Sequence, residues 1–514
     1  MPAYTEDINH VPSDVVLSPE IEFSTGTSWH EVAAEYARLS NDKVRLPDVQ
    51  KLITGIKAKR GTRNDVIRRI VSTLHESVRY TGVEFGESSL VPQFPSETLK
   101  RGYGDCKDKA TLLVTMLRSA GIPANLALLN SGPGPEINTS LFGMGMFDHA
   151  IVYVPASGAA ADLWIDATAQ YSQVGMLPWM DYGRWALVIE DRTESLRKTP
   201  EITSAENVHR ESRQVTLAGY GVATFVETDE EVGPEEADYR EYYSGDSKEV
   251  REASERYAKE MYLADSLISL EHGDLSDLEK PASIRFVTKG RRGNTDLTTA
   301  LVAIRFESLF NRLPTYFTTK ENEDSTETEK SEKPKPRTVD WSITPFTTEW
   351  RYKVMAPLGF KLRALPSDKD EKIDTVSFTQ KYSTNSDGTI VEAVLRVENT
   401  NTKMTAQQAK ELRDAVLKKS NADPVFITFD SVGHSLISAG KIKEGLAAYH
   451  EIASKHPKEA LHKVRLAHGL LAAGLGEEAR SVASEATTLE PNSALAFSTL
   501  GTVLKHDLIG RLLK

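Results

Sequence analysis

The run Arg101-Gly102-Tyr103-Gly104-Asp105-Cys106-Lys107-Asp108-Lys109 decides the reading of this chain, because it sets the only cysteine among 514 residues at the start of a helix pattern. Gly102 and Gly104 close a loop, and Asp105 has the chemistry of an N-cap. Cys106, Ala110, Leu113 and Leu117 then recur at helical spacing until Gly121 and Pro123 end the pattern, so the sulfur shares the expected buried stripe. A thiol in the first turn of a helix lies at the positive end of the dipole, beside N–H groups with no intrahelical partner. Both features favour the thiolate, which is the nucleophilic form.

Upstream, Gly82, Gly86, Pro92 and Pro95 mark residues 81–104 as a loop. Residues 29–80 read as helical. The clearest part is 62–80, where Thr62-x-x-Asp65 resembles a capping box and Val66, Ile67, Ile70, Val71, Leu74 and Val78 form one stripe. Downstream, strands are expected near 124–130, 147–154 and 162–168. A hairpin folded about Ser157-Gly158 sets His149 directly against Asp166, where opposed Cβ atoms are about 4.5–5.5 Å apart. The helix stripe should pack on this sheet.

Cys106, His149 and Asp166 are therefore the candidate catalytic residues: nucleophile, general base and the carboxylate that orients the base. An anionic intermediate also needs donors, for which the Cys106 N–H and the Gln93 side chain are candidates. Each residue also has a plainer reading: a buried apolar cysteine, a structural histidine, an aspartate at a turn. The polar neighbours of Cys106 and the order Cys, His, Asp favour the catalytic one. Asp148 and Asp162 are expected to point elsewhere, and Asp108 to serve the helix dipole or an ion pair.

At these residues the chain resembles the transglutaminase-like superfamily, which has a papain-like α+β core. The matching stretches are Tyr103 to Ala110 with Gly121-Ile122-Pro123-Ala124, then Asp148-His149-Ala150, then Trp164-Ile165-Asp166-Ala167-Thr168. The resemblance covers roughly residues 28–195 and implies that Cys106, His149 and Asp166 are the catalytic set. No calcium-loop pattern accompanies it, and no cofactor or metal is implied. The rest of the chain is similar to a bacterial branch in which this core follows an N-terminal β-sandwich. Residues 1–27 would be a remnant of that sandwich. Members of the branch often carry an export signal ahead of it.

Composition narrows the class further. With 39% hydrophobic and 26% charged residues the chain reads as globular, and its length calls for several cores. A net charge of −12 argues against a general binder of nucleic acid or anionic membranes, which needs a basic face, and leaves room only for a local basic patch. No run of apolar residues is long enough for a transmembrane helix. One cysteine excludes an internal disulfide or a cysteine-rich zinc site. Met1 to Asp7 lacks the start of a secretory signal, so the chain as given reads as cytoplasmic, with a periplasmic or exported location open if a leader precedes it.

The expected fold class is α+β: a papain-like transglutaminase core over 28–200, a β-rich, sandwich-like region over 203–402 and a helical tail. Within the β-rich region, 208–217 and 222–230 read as a hairpin, Asp387-Gly388 as a turn before 390–398, and 247–263 as an inserted helix. Residues 320–337 read as a disordered charged insert. A connecting helix, opened by Thr405-x-x-Gln408, is placed in 403–427. From 428 to 514 the sequence repeats: Ile437-Ser438-Ala439-Gly440 matches Leu471-Ala472-Ala473-Gly474, and Pro457 matches Pro491, each 34 residues on. That period resembles tetratricopeptide (TPR) repeats, with the third unit truncated.

Two functions fit. In one, Cys106 attacks a carboxamide or peptide carbonyl and the thioester passes to water or an amine, as in a peptidase, amidase or transglutaminase. In the other, the core is an idle scaffold and the TPR groove binds peptide partners. An arylamine acetyltransferase-like enzyme shares the triad but not the tail. Peptide N-glycanase relatives carry a zinc-binding cysteine set absent here. Substrate and oligomeric state are not legible.

Overall fold

A computed structural model describes residues 10–12, 15, 21–82, 89–132, 136–319 and 339–513. The charged stretch expected over 320–337 lies outside the described residues, as does much of 1–27.

The first region is built around one helix. The α-helices run Trp29–Asn41 (α1), Gln50–Lys57 (α2), Arg63–Ser77 (α3), Pro95–Arg101 (α4) and Cys106–Ser119 (α5). A reciprocal capping box between Thr62 and Asp65 opens α3, as its sequence suggests. The strands are Arg79–Tyr80 (β1), Tyr103–Gly104 (β2), Asn125–Leu129 (β3), His149–Val154 (β4), Leu163–Ile165 (β5), Trp185–Val188 (β6) and Arg197–Lys198 (β7). Strands β3 to β7 form an antiparallel sheet in the order β5-β4-β3-β6-β7, and β1 pairs in parallel with β2 just before α5.

Helix α5 departs from the one-stripe expectation. Every residue from Cys106 to Leu117 is buried, because the helix is enclosed by the sheet, α3 and α4 rather than lying on a surface. Ala110, Leu113 and Leu117 meet Leu126, Leu128, Val152 and Ile165 of the sheet in one apolar cluster with Ile67, Ile70 and Leu74 of α3. The charged residues on the helix are individually satisfied: Lys107 pairs with Asp105 at 2.6 Å, and Lys109 donates to the Val78 carbonyl at 2.8 Å. Alternate residues of the sheet, among them Leu129, Ile151, Trp164 and Ala186, bury a second core on its other face.

Two glycines set the approach to α5. Gly102, at φ +69°, is the left-handed residue that ends α4. Gly104 passes so close to the helix that a Cβ there would lie 2.9 Å from Asp108 Cβ and 3.1 Å from Thr98 Cγ2.

Between Val208 and Ser431 eleven strands form one continuous hydrogen-bonded sheet, and the short strands Trp341–Ser342 and Lys403–Met404 pair separately. The large sheet curls so that strands far apart in its order share one core, with Phe306 5.9 Å from Phe378. Two halves are joined by a parallel pairing of Val208–Thr216 with Phe346–Met355; all other pairings in it are antiparallel. The stretch 403–427, read as a connecting helix, holds three elements, the first being the short strand Lys403–Met404. Helix Ala406–Ser420 buries Ala409, Leu412 and Val416 in the sheet's core, and strand Val425–Ser431 inserts between Thr299–Ile304 and Phe360–Leu362. The alternation in Val425-Phe426-Ile427-Thr428-Phe429 is the mark of that strand. Inside the sheet, Arg213 is buried between Glu227 (2.5 Å), Glu211 and the Tyr352 hydroxyl (2.6 Å).

Helices Glu236–Ser244 and Ser247–Tyr262 interrupt the β-rich region, the second at the position expected of an inserted helix. The tail holds Val432–Ser438, Ile442–Lys455, Ala460–Ala472, Gly476–Leu489 and Ala494–Leu504, each packed against the next. Among the described residues no helix is long and apolar enough to cross a membrane.

Candidate active site

Asp105 caps α5 by accepting from the Asp108 N–H at 3.1 Å, so Cys106 occupies the first helical position. The sulfur-bearing residue is 6% exposed. His149 opens β4, and Asp166 follows the last residue of β5. His149 Nε2 lies 3.2 Å from Asp166 Oδ2, and the same ring is hydrogen-bonded to the Cys106 side chain. With Nε2 turned to the carboxylate, Nδ1 is the nitrogen left for sulfur.

The strand register differs from the expected one by two residues. Val152 pairs with Ile165 and Tyr153 with Trp164, so the extended ladder sets Asp166 against Ile151. The turn is shifted by one residue from Ser157-Gly158 to Gly158-Ala159, with Ser157 bridging Ala160. His149 and Asp166 therefore meet along a diagonal, a spacing that a long side chain spans. That explains why the far nitrogen of the ring makes the contact.

Asp166 is buried and fully engaged. Its Oδ1 accepts from the Thr168 N–H (2.7 Å) and hydroxyl (2.8 Å), while its Oδ2 faces His149. Burial opposes ionisation, but the His149 charge and these hydrogen bonds outweigh it and hold the carboxyl below its usual pKa. For His149, burial disfavours the cation. The adjacent Asp166 carboxylate, with hydrogen bonds to Asp166 and Cys106, reverses this and raises the imidazole pKa well above its ordinary value. The two shifts agree in sense: the pair is held as imidazolium and carboxylate.

Of the other sequence candidates, Gln93 lies at the same end of α5, where its backbone N–H donates to Asp108 Oδ1 at 2.8 Å. Asp108 also pairs with Arg101 at 2.9 Å, the structural role expected of it. Asp148 accepts from the Ser131 N–H, and Asp162 hydrogen-bonds Tyr153, so neither competes for His149.

Three groups were not singled out from sequence. Thr168 has a legible signal, since Asp-x-Thr favours a side chain-to-backbone turn. Tyr36 of α1 is buried, and its hydroxyl pKa is raised by burial and by the charges of Cys106 and Asp105. Asp181, in the short turn Trp179–Asp181, lies with His149 and Asp166 in a cluster whose ligand atoms are within 4.8 Å of one another. Nothing in its spacing marks it. The cluster has the span of a cation site, yet His149 already supplies positive charge to Asp166. Two further groups of that span occur among the described residues: His456, Glu459 and His462, and the buried Glu211, Glu227 and Asp229, between whose first two members Arg213 is lodged.

Met146, Phe147 and Asp148, directly before His149, line a cleft of about 670 Å³ with Phe23 and Leu141. A second cleft, of about 720 Å³, is lined by Trp179, Tyr182, Trp185, Tyr316 and Trp341.

Residues 50–173 match the family model described as the transglutaminase-like superfamily. No curated protein matches the chain. Among solved structures, a Parabacteroides distasonis chain described as "a putative protease" aligns at 13% identity and a TM-score of 0.45. The alignment covers 79% of this chain and 59% of that one, so this chain spans less than two thirds of that chain's length.

Proposed function

We propose, from a chain that carries a transglutaminase-like superfamily domain over residues 50–173, that Cys106 performs acyl transfer or hydrolysis on a peptide or carboxamide substrate. The observation that carries this reading is the His149 Nε2 to Asp166 Oδ2 contact at 3.2 Å, with the same ring bonded to Cys106 at the head of α5. Asp166 fixes Nε2 as the protonated nitrogen and stabilises the imidazolium. Nδ1 takes the thiol proton, and the sulfur forms a bond to the substrate carbonyl carbon. Collapse of that adduct breaks the C–N bond, and His149 returns the proton to the departing amine. Water or a second amine then releases the acyl group from the thioester. The apolar and acidic residues lining the cleft before His149, among them Phe23, Phe147, Glu22 and Asp148, suit a peptide with apolar and cationic side chains.

The test is alkylation by iodoacetamide together with turnover of a peptide library, each compared with Cys106→Ala and His149→Ala. Loss of cleavage or cross-linking in both variants, with slowed alkylation in His149→Ala, is the expected result. An alkylation rate and pH profile untouched by His149→Ala would end the activated-thiol reading.

The helical tail favours a second role alongside the first. Gly440 and Gly474, 34 residues apart, take nearly the same left-handed conformation (φ +78° and +79°) at equivalent helix–helix turns. This supports a TPR-like array over the tail, whose groove would deliver peptide partners.

A further inference from the structure

Asp181 is 1% exposed and held from three directions. Its N–H bonds the Pro178 carbonyl, its carbonyl accepts from Thr199 Oγ1 at 2.6 Å, and its Oδ1 accepts from Ser131 Oγ at 2.7 Å. The second oxygen, Oδ2, is buried with no donor, although the side chain is in hydrogen-bond contact with Asp166. Two buried carboxylates in contact, with no donor between them, are satisfied by one shared proton.

We propose that Asp181 is a positioning residue of the site, an acid that shares a proton with Asp166 and thereby sets the negative charge held against His149. The inference rests on the acyl-transfer reading, and Asp181 falls outside the residues matched by the family model. When Asp181 carries the proton, it donates to Asp166 and draws charge away from the imidazolium. When that proton leaves to solvent, both carboxylates face His149, whose cation is then held more firmly, together with the thiolate beside it. Burial first, and the Asp166 charge second, raise the Asp181 pKa to about 6, so the exchange falls in a usable range.

The other charged groups nearby do not substitute for it. Cys106 reaches the cluster through His149, and Lys109 and His75 act on it from the Asp166 side. Lys109 is committed to the Val78 carbonyl. His75, with its pKa lowered to about 4 by burial and by Lys109, is neutral across this range. Tyr182 follows Asp181 in the chain but donates toward Met176, and Arg184 is turned to the Met180 and Gly132 carbonyls.

The experiment compares wild type with Asp181→Asn, whose amide keeps the donor and cannot ionise. His149 is titrated by NMR on histidine-labelled protein, its signal assigned by loss in His149→Gln, and iodoacetamide rates are followed from pH 4.5 to 8.5. The expected result is a His149 pKa lowered by about one unit or more in Asp181→Asn, with alkylation at pH 7 about tenfold slower, since one unit is tenfold in the equilibrium. The inflection near pH 6 should disappear, while the melting temperature does not fall. An unchanged His149 pKa and pH profile would overturn the proposal. Should the variant not fold, wild type alone decides: two inflections in the His149 titration support a second acid, and a single one rejects it. If His149→Gln leaves alkylation unaltered while the His149 signal still senses Asp181, the acyl-transfer reading fails and the carboxyl pair survives.

Discussion

Replacing Asp166 by Asn removes one charge from beside His149 while keeping the shape of the side chain. A carboxylate 3.2 Å from the imidazole has a Coulomb attraction of up to about 5 kcal/mol at an effective dielectric of about 20. Measured shifts for such neighbours run about 1–3 units. The His149 pKa, now raised well above its usual value, should therefore fall by that amount, with only the Cys106 hydrogen bond and the Asp181 charge left to oppose burial. The amide has a second effect. Thr168 still donates to its oxygen, so the NH₂ faces Nε2 and forces the ring proton onto Nδ1, where the sulfur needs an acceptor. Both effects reduce the imidazolium–thiolate pair, by about 10- to 1000-fold at pH 7. Iodoacetamide kinetics from pH 5 to 9, with the melting temperature as a control on folding, measure the loss directly. An Asp166→Asn protein that folds normally and alkylates at the wild-type rate across that range would show that the carboxylate does not govern the thiol.

Three further outcomes follow from the packing and the charges. Gly104→Ala pushes a methyl group into Asp108, which Arg101 and the Gln93 N–H hold in place, so urea unfolding should show a loss of about 1–3 kcal/mol and alkylation of Cys106 should slow. Arg213→Met leaves Glu227 as a buried charge without its cation, at a cost of about 3–5 kcal/mol; Arg213→Met with Glu227→Gln should recover much of it in the same assay. Asp181 has a folded pKa of about 6 against about 3.9 unfolded, so the folded protein binds more protons between those values and stability falls as pH rises through them. Asp181→Asn should flatten that decline and leave the protein up to about 3 kcal/mol more stable than wild type at pH 7.

The heart of the site was legible because its signals are local. Asp105 before Cys106 is an N-cap in sequence and in space, and the strands carrying His149 and Asp166 announce themselves by apolar runs. What the sequence misjudged depends on distance along the chain. The burial of Lys107 and Lys109 comes from three separate elements closing over α5, which no helical stripe records. The two-residue offset between His149 and Asp166 comes from a loop whose turn geometry small residues leave undetermined. Asp181 reaches the cluster from a turn that the chain returns only after β5, so its carboxyl looks like any loop acid. The joining of the β-rich region into one hydrogen-bonded sheet rests on the parallel pairing of 208–216 with 346–355, partners more than a hundred residues apart.

Strand Val425–Ser431 also has a consequence for how the polypeptide matures. Until residue 431 has left the ribosome, Thr299–Ile304 and Phe360–Leu362 each present a bare ladder edge, and the gap between them cannot close. Contacts this remote are slow to form, and nascent chains with open edges associate with one another. A shortened gene product ending at 427 would keep the helix but sever the strand that seals the sheet, and should emerge as aggregate; one ending at 431 retains the seal.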